Sequence, residues 1–574
     1  MLRALAARGD EDWDFCIIGG GATGLGVAVD SASRGYKTIL LEQYDFAKGT
    51  SSRATKLIHG GVRYLQQGNI RLVTEALHER GILRRNAPHL VSNQSFIVPN
   101  YKWWEGPYYG LGLKVYDWMA GELGMGKSRR LSREEVLAEA PTLDAEGLRG
   151  GVRYHDGQFD DARLAISLAQ TAASHGAVLL NYCGVQELLK EEGRVAGVRA
   201  TDRIDNRPYS IRARVVVNAT GVFTDSILRL DDPAAEAVIA PSQGVHLILD
   251  KSFLPGKAAI LVPHTDDGRV LFAVPWHDRI IIGTTDTPVS QPVIEPRALQ
   301  EEIDFILAQI GRYLQKEPAR QDILSIFAGL RPLVRSSSKR TAELARDHLI
   351  LLSGSGLLTI TGGKWTTYRR MAEDTVNKAI QRAGLPERPC MTKKLPIHGA
   401  ATGGSSGLNI AAAGVSGRED VNIAAAGVSG GIDLDIAAAR DRPRQPDPGV
   451  PPFASDILAA LGYYGTDAAA VASLAAANPA WAGRIHPRLP YIGAEIVWAA
   501  RAECCMTVED ALSRRTRSLL LDARAAIECA PAVAELLASE LGRDAAWQAE
   551  QINAFRELAG NYLPDPQPSI NSTV

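Results

Sequence analysis

Residues 14–42 read DFCIIGGGATGLGVAVDSASRGYKTILLE. The apolar run Phe15 to Ile18 is short and rich in Ile, the signature of a buried parallel strand. Gly19, Gly21 and Gly24 follow in G-x-G-x-x-G spacing. Leu25 to Ser33 then has a helical pattern, with small residues where a helix must lie close to a sheet. Gly35 ends that helix, and Thr38 to Leu41 reads as a second strand closed by Glu42. Strand, glycines, helix, strand and acid in that order make the dinucleotide fingerprint. Gly19 permits the tight turn, Gly21 lets backbone approach a pyrophosphate, and Gly24 lets the helix pack closely. The phosphates sit at the helix N-terminus, where unpaired N–H groups and the dipole favour anions. Glu42 is placed to accept hydrogen bonds from a ribose. The motif alone does not separate FAD from NAD.

The chain has 574 residues, too long for one core, and about three or four domain-sized units are expected. Its 63 basic and 65 acidic residues give no overall pull toward nucleic acid. Six cysteines in this length form no disulfide framework, and no pair has metal-ligand spacing, which fits a reducing, cytoplasmic location. The opening MLRALAARGDEDWD has no apolar core long enough for a signal peptide. No run of about 18 apolar residues predicts a membrane span.

Beyond Glu42, Thr50, Ser51 and Ser52 form a hydroxyl cluster ahead of an expected helix, suited to capping or to phosphate contact. His59-Gly60-Gly61 breaks that helix and lets backbone approach something flat or bulky; Arg63 and Tyr64 follow at once. Arg71 to Leu83 reads as an amphipathic helix. Residues 101–127, YKWWEGPYYGLGLKVYDWMAGELGMGK, are the most aromatic stretch, interleaved with Lys102, Lys114 and Lys127. That mixture suits a bilayer interface or, equally, an aromatic core plug or a dimer contact. Arg214 to Gly221, RVVVNATG, is a second strand that hands over to a glycine. VHLIL, AAILV, RVLFAV and RIIIGTT between 242 and 290 alternate as strands of a separate sheet, a lobe inserted between pieces of the nucleotide lobe. LLTITGGKWTTYR at 357–369 runs from a strand into Gly362-Gly363 and on into a helix. Between 397 and 451 the composition turns to Ala, Gly, Ser, Pro and Asp, and NIAAAGVSG occurs twice, at 409–417 and 422–430; the expectation is a flexible insert. Apolar spacing from 452 to 562 is helical.

GGGATG, TSSRATKLIHGGVRYL, the ATG at 219–221, HLIL after Gly244, IIGTTDT, GLRPL and TGGKWTTYR together resemble the FAD-dependent glycerol-3-phosphate dehydrogenases, the respiratory, quinone-linked kind. The likeness runs from about 14 to 396, the helical region from 452 fits the family's C-terminal domain, and the 397–451 insert departs from it. The fold expected is α/β. A Rossmann-like FAD-binding lobe takes about 14–90, 151–241 and 341–396, and a mixed or antiparallel substrate lobe about 91–150 and 242–340. A helical domain at 452–562 completes it.

The reaction the resemblance implies is oxidation of sn-glycerol 3-phosphate to dihydroxyacetone phosphate, hydride passing to FAD and electrons to membrane quinone. A phosphate calls for fixed cations, arginine above all. Arg63, Arg331, Arg346 and Lys364 sit at turns or strand ends, and the resemblance makes them substrate ligands. Tyr64 steers the substrate, covers the flavin or packs. His246 is the candidate base, with Arg331 and Arg63 beside it. Cofactor contacts are implied for Gly19, Gly21, Gly24, Glu42, Thr50, Ser51, Ser52, His59, Gly60, Gly61, Val185 (through its backbone, at the adenine), Gly221, Gly362, Gly363, Lys364 and Thr366. A homodimer and a peripheral place on the inner face of the cytoplasmic membrane come from the resemblance. Competing readings are an oxidase with oxygen as acceptor, an amino- or 2-hydroxy-acid enzyme of the same fold, and a non-catalytic nucleotide-binding regulator.

Overall fold

The computed structural model describes residues 12–61, 69–335, 348–401 and 460–564. The strand Trp13–Ile18 lies between Thr38–Leu41 and Pro208–Asn218, parallel to both, with Ile17 level with Leu40 and Val217. Val178–Leu180 extends the sheet beyond Thr38–Leu41, and Leu358–Gly362 extends it beyond Pro208–Asn218. Antiparallel His348–Leu352 closes the far edge. The two-residue side-chain period sorts the first strand. Phe15 and Ile17 pack among helices Ala22–Ser33, Asp161–Ser174 and Tyr368–Ala383. Cys16 and Ile18 face the hairpin Cys183–Glu191/Arg194–Asp202 on the other side. This is the expected nucleotide lobe, a parallel sheet buried on both faces.

The second sheet is mixed. Its strands run Thr287–Pro288, Ile239–Asp250, Arg279–Gly283, Leu271–Trp276, Ala259–Val262, Val91–Asn100, Gly150–Phe159 and Leu57–Ile58, with Ile323–Val334 also paired to Ile239–Asp250. Gly150–Phe159 pairs with Val91–Asn100 along its whole length, so these residues belong to this sheet and not to the nucleotide lobe where sequence had put them. Along GVHLIL, Val245, Leu247 and Leu249 pack toward helix Gln300–Gly311. Alternation therefore turns His246 and Ile248 to the opposite face, where Ile248, Trp276, Ile281 and Phe327 meet the C-terminal helices.

Those helices, Ala468–Ala477, Gly493–Ala502, Ala523–Leu541 and Ala545–Gly560, realise the expected helical domain. The domain is locked to the body by backbone and by charge. Ile326 N–H donates to Tyr562 O at 2.8 Å and Ser325 Oγ to Leu519 O at 2.8 Å. Arg163 grips Glu503 with two bonds of 2.7 and 2.6 Å, and Arg517 lies 2.9 Å from Asp160. Asp45 takes Arg515 at 2.8 and 2.9 Å and Arg514 as well. The start of the expected insert is displaced: Ile397 is buried and donates to Asn86 O, and His398 Nε2 lies 2.7 Å from Asp467. Across the same seam Thr466 N–H donates to Gly399 O at 2.9 Å. The rest of the expected insert, 402–451, lies outside the described residues.

Candidate active site

Three neighbouring parallel strands end in glycines. Gly19 (φ 108°) follows Ile18, Gly221 (φ 60°) follows Asn218-Ala219-Thr220, and Gly362 and Gly363 (φ 77° and 69°) close Leu358–Gly362. Because the strands are parallel and adjacent, these breaks fall at one end of the sheet, the usual ligand side of such a fold. They open on a cavity of about 940 Å³, at the upper end of what small-molecule and cofactor sites occupy. Its wall runs from Val185 and Glu42 past Gly19, Gly21 and Ser51 to His59, Gly362, Gly363 and Thr366, and on to His246 and Arg331 in the second sheet.

At the first break, helix Ala22–Ser33 points its N-terminus at the cavity, and Ser51 Oγ accepts from Ala22 N–H at 2.9 Å. A Cβ at Gly19 would come 2.7 Å from Ala219 O, and one at Gly24 1.9 Å from Gly19 O. Gly24 therefore serves packing and does not line the cavity. Glu42 accepts Gly20 N–H at 2.7 Å and Tyr44 N–H at 2.9 Å. Burial raises its pKa, against the pull of those two donors. A carboxylate has about four acceptor positions, so it keeps capacity for a hydroxyl. At Gly49 and Gly221, by contrast, a Cβ would meet no protein atom within 4 Å. The wall stands back there, leaving room for a bound group.

Between Ser52 and Gly60 the structure departs from expectation. No helix forms; a short 3-10 turn, Thr50–Ser52, leads to the two-residue strand Leu57–Ile58. Lys56 decides this. Its φ of 63° is incompatible with a helix, and its buried ammonium reaches Asp161 at 2.6 Å and Ser52 O at 2.7 Å. The strand then pairs with Gln158 and Gly157. Thr50 Oγ donates to Leu330 O, and Trp365 Nε1 to Ser51 O, tying the loop to both sheets. Ser52 is buried away from the cavity. Gly60 packs against Leu77 and donates to Tyr116 Oη at 2.8 Å, and it too stands off the wall. Gly61 (φ 80°) leads into residues 62–68. Arg63, Tyr64 and Arg346 lie outside the described residues. The glycines at 362 and 363 do not themselves start the helix: with positive φ they end the strand, and a turn at Trp365–Thr367 precedes Tyr368–Ala383.

His246 is buried and stacked on Phe327, ring centroids 4.7 Å apart. Its Nε2 lies 2.9 Å from Thr55 Oγ, and both residues line the cavity. Burial first, then the charges of Arg331 and Lys56, hold its pKa well below the ordinary value, so the imidazole is neutral. Arg331 donates to Gln243 O, Asp286, Thr284 Oγ and Thr285 O at 2.9 to 3.2 Å. Among the described residues the wall carries the cations Lys48, Arg53, Arg331 and Lys364. Sequence reasoning missed Lys48, Arg53 and Thr55; the only signal for them was their nearness to the hydroxyl cluster.

The family model for FAD-dependent oxidoreductases matches residues 14–369, and that for the C-terminal domain of alpha-glycerophosphate oxidase matches 390–548. The chain is 39% identical to the mitochondrial glycerol-3-phosphate dehydrogenase of Homo sapiens, over 96% of this chain and 74% of the human one. With the enzyme of that name from Schizosaccharomyces pombe it shares 38% over 96% and 87% of the two chains. The chain belongs to the FAD-dependent glycerol-3-phosphate dehydrogenases. Its structure superposes on the crystal structure of the Bacillus halodurans family member complexed with FAD at a TM-score of 0.74 and 27% identity, covering 99% and 98% of the chains. The cradle described above fits that family's cofactor: an anion-accepting helix end, a carboxylate with spare acceptors, and a wall that recedes at Gly49 and Gly221.

Proposed function

We propose that this family member oxidises sn-glycerol 3-phosphate to dihydroxyacetone phosphate and delivers the electrons to membrane quinone. The observation that carries the reading is the continuity of one cavity from the dinucleotide cradle to His246, Arg331 and Lys364. FAD, when bound there, would supply the two-electron acceptor for the hydride leaving C2. The chain's own residues do the rest. The helix end at Gly21 and Ala22 with Ser51 would face the pyrophosphate, Glu42 the ribose, Val185 the adenine, and Gly362 to Thr366 the flavin end. Arg331 and Lys364, with Arg63 and Arg346, suit the substrate phosphate. The C2 hydroxyl proton needs an unprotonated acceptor, and the neutral imidazole of His246, aligned by Thr55, is one.

The helix Glu105–Ala120 supports contact with a membrane surface. Tyr109, Leu113 and Tyr116 are buried, while Trp104, Tyr108, Leu111, Val115 and Trp118 line up on the opposite, open face. Leu111 is 69% and Trp118 82% exposed, and Lys102, Lys114 and Lys127 are exposed nearby. An apolar, aromatic stripe with flanking lysines suits the headgroup boundary of anionic lipid. Among the described residues no helix is long and apolar enough to cross a membrane; a peripheral contact at the inner face of the cytoplasmic membrane is what the family resemblance implies. The homodimer rests on family resemblance, and light scattering would test it.

Anaerobic addition of sn-glycerol 3-phosphate to the purified yellow protein tests the reaction. Prompt bleaching, absent with glycerol or a 2-hydroxy acid, is the expected result. A yellow protein that stays yellow would remove the substrate. Rapid peroxide formation in air, with no transfer to a quinone analogue, would replace the acceptor by oxygen.

A further inference from the structure

Between the strand Thr287–Pro288 and helix Gln300–Gly311 the chain runs over the cavity without regular structure. Pro292, Val293 and Ile294 of this segment line the cavity, yet Val293 is 52% exposed, so the segment borders the mouth. Among the described residues, the hydrogen bonds of 290–296 go to only two side chains. Arg53 donates to Ile294 O at 3.1 Å and to Glu295 Oε2 at 2.6 Å, and Tyr562 Oη donates to the same Oε2 at 3.3 Å. Glu295 Oε1 is buried, with Lys48 Nζ at 3.8 Å. Lys48 also reaches Glu509 at 2.7 Å; Glu509 takes Arg514 at 2.9 Å, and Arg514 holds Asp45. Charges thus alternate in sign from the mouth segment, through two cations of the cavity wall, into the C-terminal region.

We propose that Glu295 latches the segment 290–296, whose flanks Val289 and Arg297 are fixed to the strand Ile239–Asp250, across the cavity mouth and thereby sets how slowly bound FAD leaves, with the C-terminal region acting through Tyr562 and Glu509. The inference rests on FAD occupying the cavity and is independent of the substrate. Opening the segment must pull the Glu295 carboxylate away from Arg53 and Lys48 together, while the rest of the fold stays in register. Glu295 plays no role in the chemistry; it is a positioning residue.

The test is FAD release from the holoprotein, followed by the rise in flavin fluorescence on dilution. Glu295→Gln should release FAD about tenfold faster than the parent. Tyr562→Phe should speed release by a smaller factor, and the FAD-stripped Glu295→Gln protein should melt with the stripped parent. An unchanged release rate overturns the latch. So does a stripped variant that melts as far below its parent as the holo variant does, because that is a general loss of packing. A parent protein that retains no FAD would instead overturn the cofactor reading.

Discussion

Arg331 spreads its guanidinium over Gln243 O, Asp286, Thr284 and Thr285 O, and this fork fixes its place in the wall. Lysine carries the charge and lacks the fork. Arg331→Lys should therefore raise KM for sn-glycerol 3-phosphate by about tenfold or more, measured by steady-state kinetics at unchanged flavin content; an unaltered KM would take Arg331 out of the phosphate site. His246 gives a prediction with a sign. Its folded pKa is depressed by burial and then by Arg331 and Lys56, so the proton-accepting form persists as pH falls through its usual 6.5. At saturating substrate the anaerobic bleaching rate should show no inflection near that pH. His246→Gln should lower it by about 10²–10⁴ with FAD retained, and a smaller effect would move the base elsewhere. The cations in GLRPL and TGGKWTTYR were singled out in sequence by the family resemblance, since standing beside a glycine break does not by itself separate a pocket residue from a surface charge. Lys48, Arg53 and Thr55 were not. TSSRATK has no local feature that forbids a helix, and what forbids it is the buried pair of Lys56 with Asp161, more than a hundred positions away.

Among the elements, strands and their glycine exits were readable because the two-residue period and the φ demands of a turn are local properties. Partnership was less so: Gly150–Phe159 went to the wrong lobe because pairing with Val91–Asn100 leaves no mark on either strand alone. The helix Glu105–Ala120 shows both cases. Its aromatic content was plain, but its two apolar faces separate only once the helix bounds are known. A helix apolar all round calls for cover on both sides. Leu111→Ser with Trp118→Ser should reduce co-sedimentation with anionic vesicles about tenfold and leave bleaching by substrate intact. Equal sedimentation of parent and variant would end the membrane reading of this face.

Over the whole molecule, titratable groups buried at or near the seam between body and C-terminal region, one in an ion pair and one a neutral imidazole, make stability depend on pH. Burial disfavours ionised Asp45, but Arg515 and Arg514 more than offset it and hold its pKa below the usual 3.8. His89 falls to about 3 from 6.5, through burial and then the Arg163 and His398 charges. Both folded values are depressed, so each contribution is complete above the unfolded pKa and is lost as pH falls, His89 from about 6.5 downward and Asp45 from about 3.8. Tm should decline as pH drops from 7 to about 4, and His89→Gln should flatten that slope; an identical slope would shift the cause to other groups. At the seam of Gly399 and Thr466, the chain on either side of residues 402–459 is already stitched together. The two residues that flank this span are thus held side by side by the fold itself. For a flexible linker joining two such fixed ends, the closure cost rises only slowly with length, about 0.6 kcal/mol per doubling. A short Gly/Ser bridge in place of the span should leave Tm and bleaching unchanged, as calorimetry and the substrate assay would show. The seam is thus a natural port, where a reporter domain could be spliced in, or new chain termini opened, without touching the catalytic architecture.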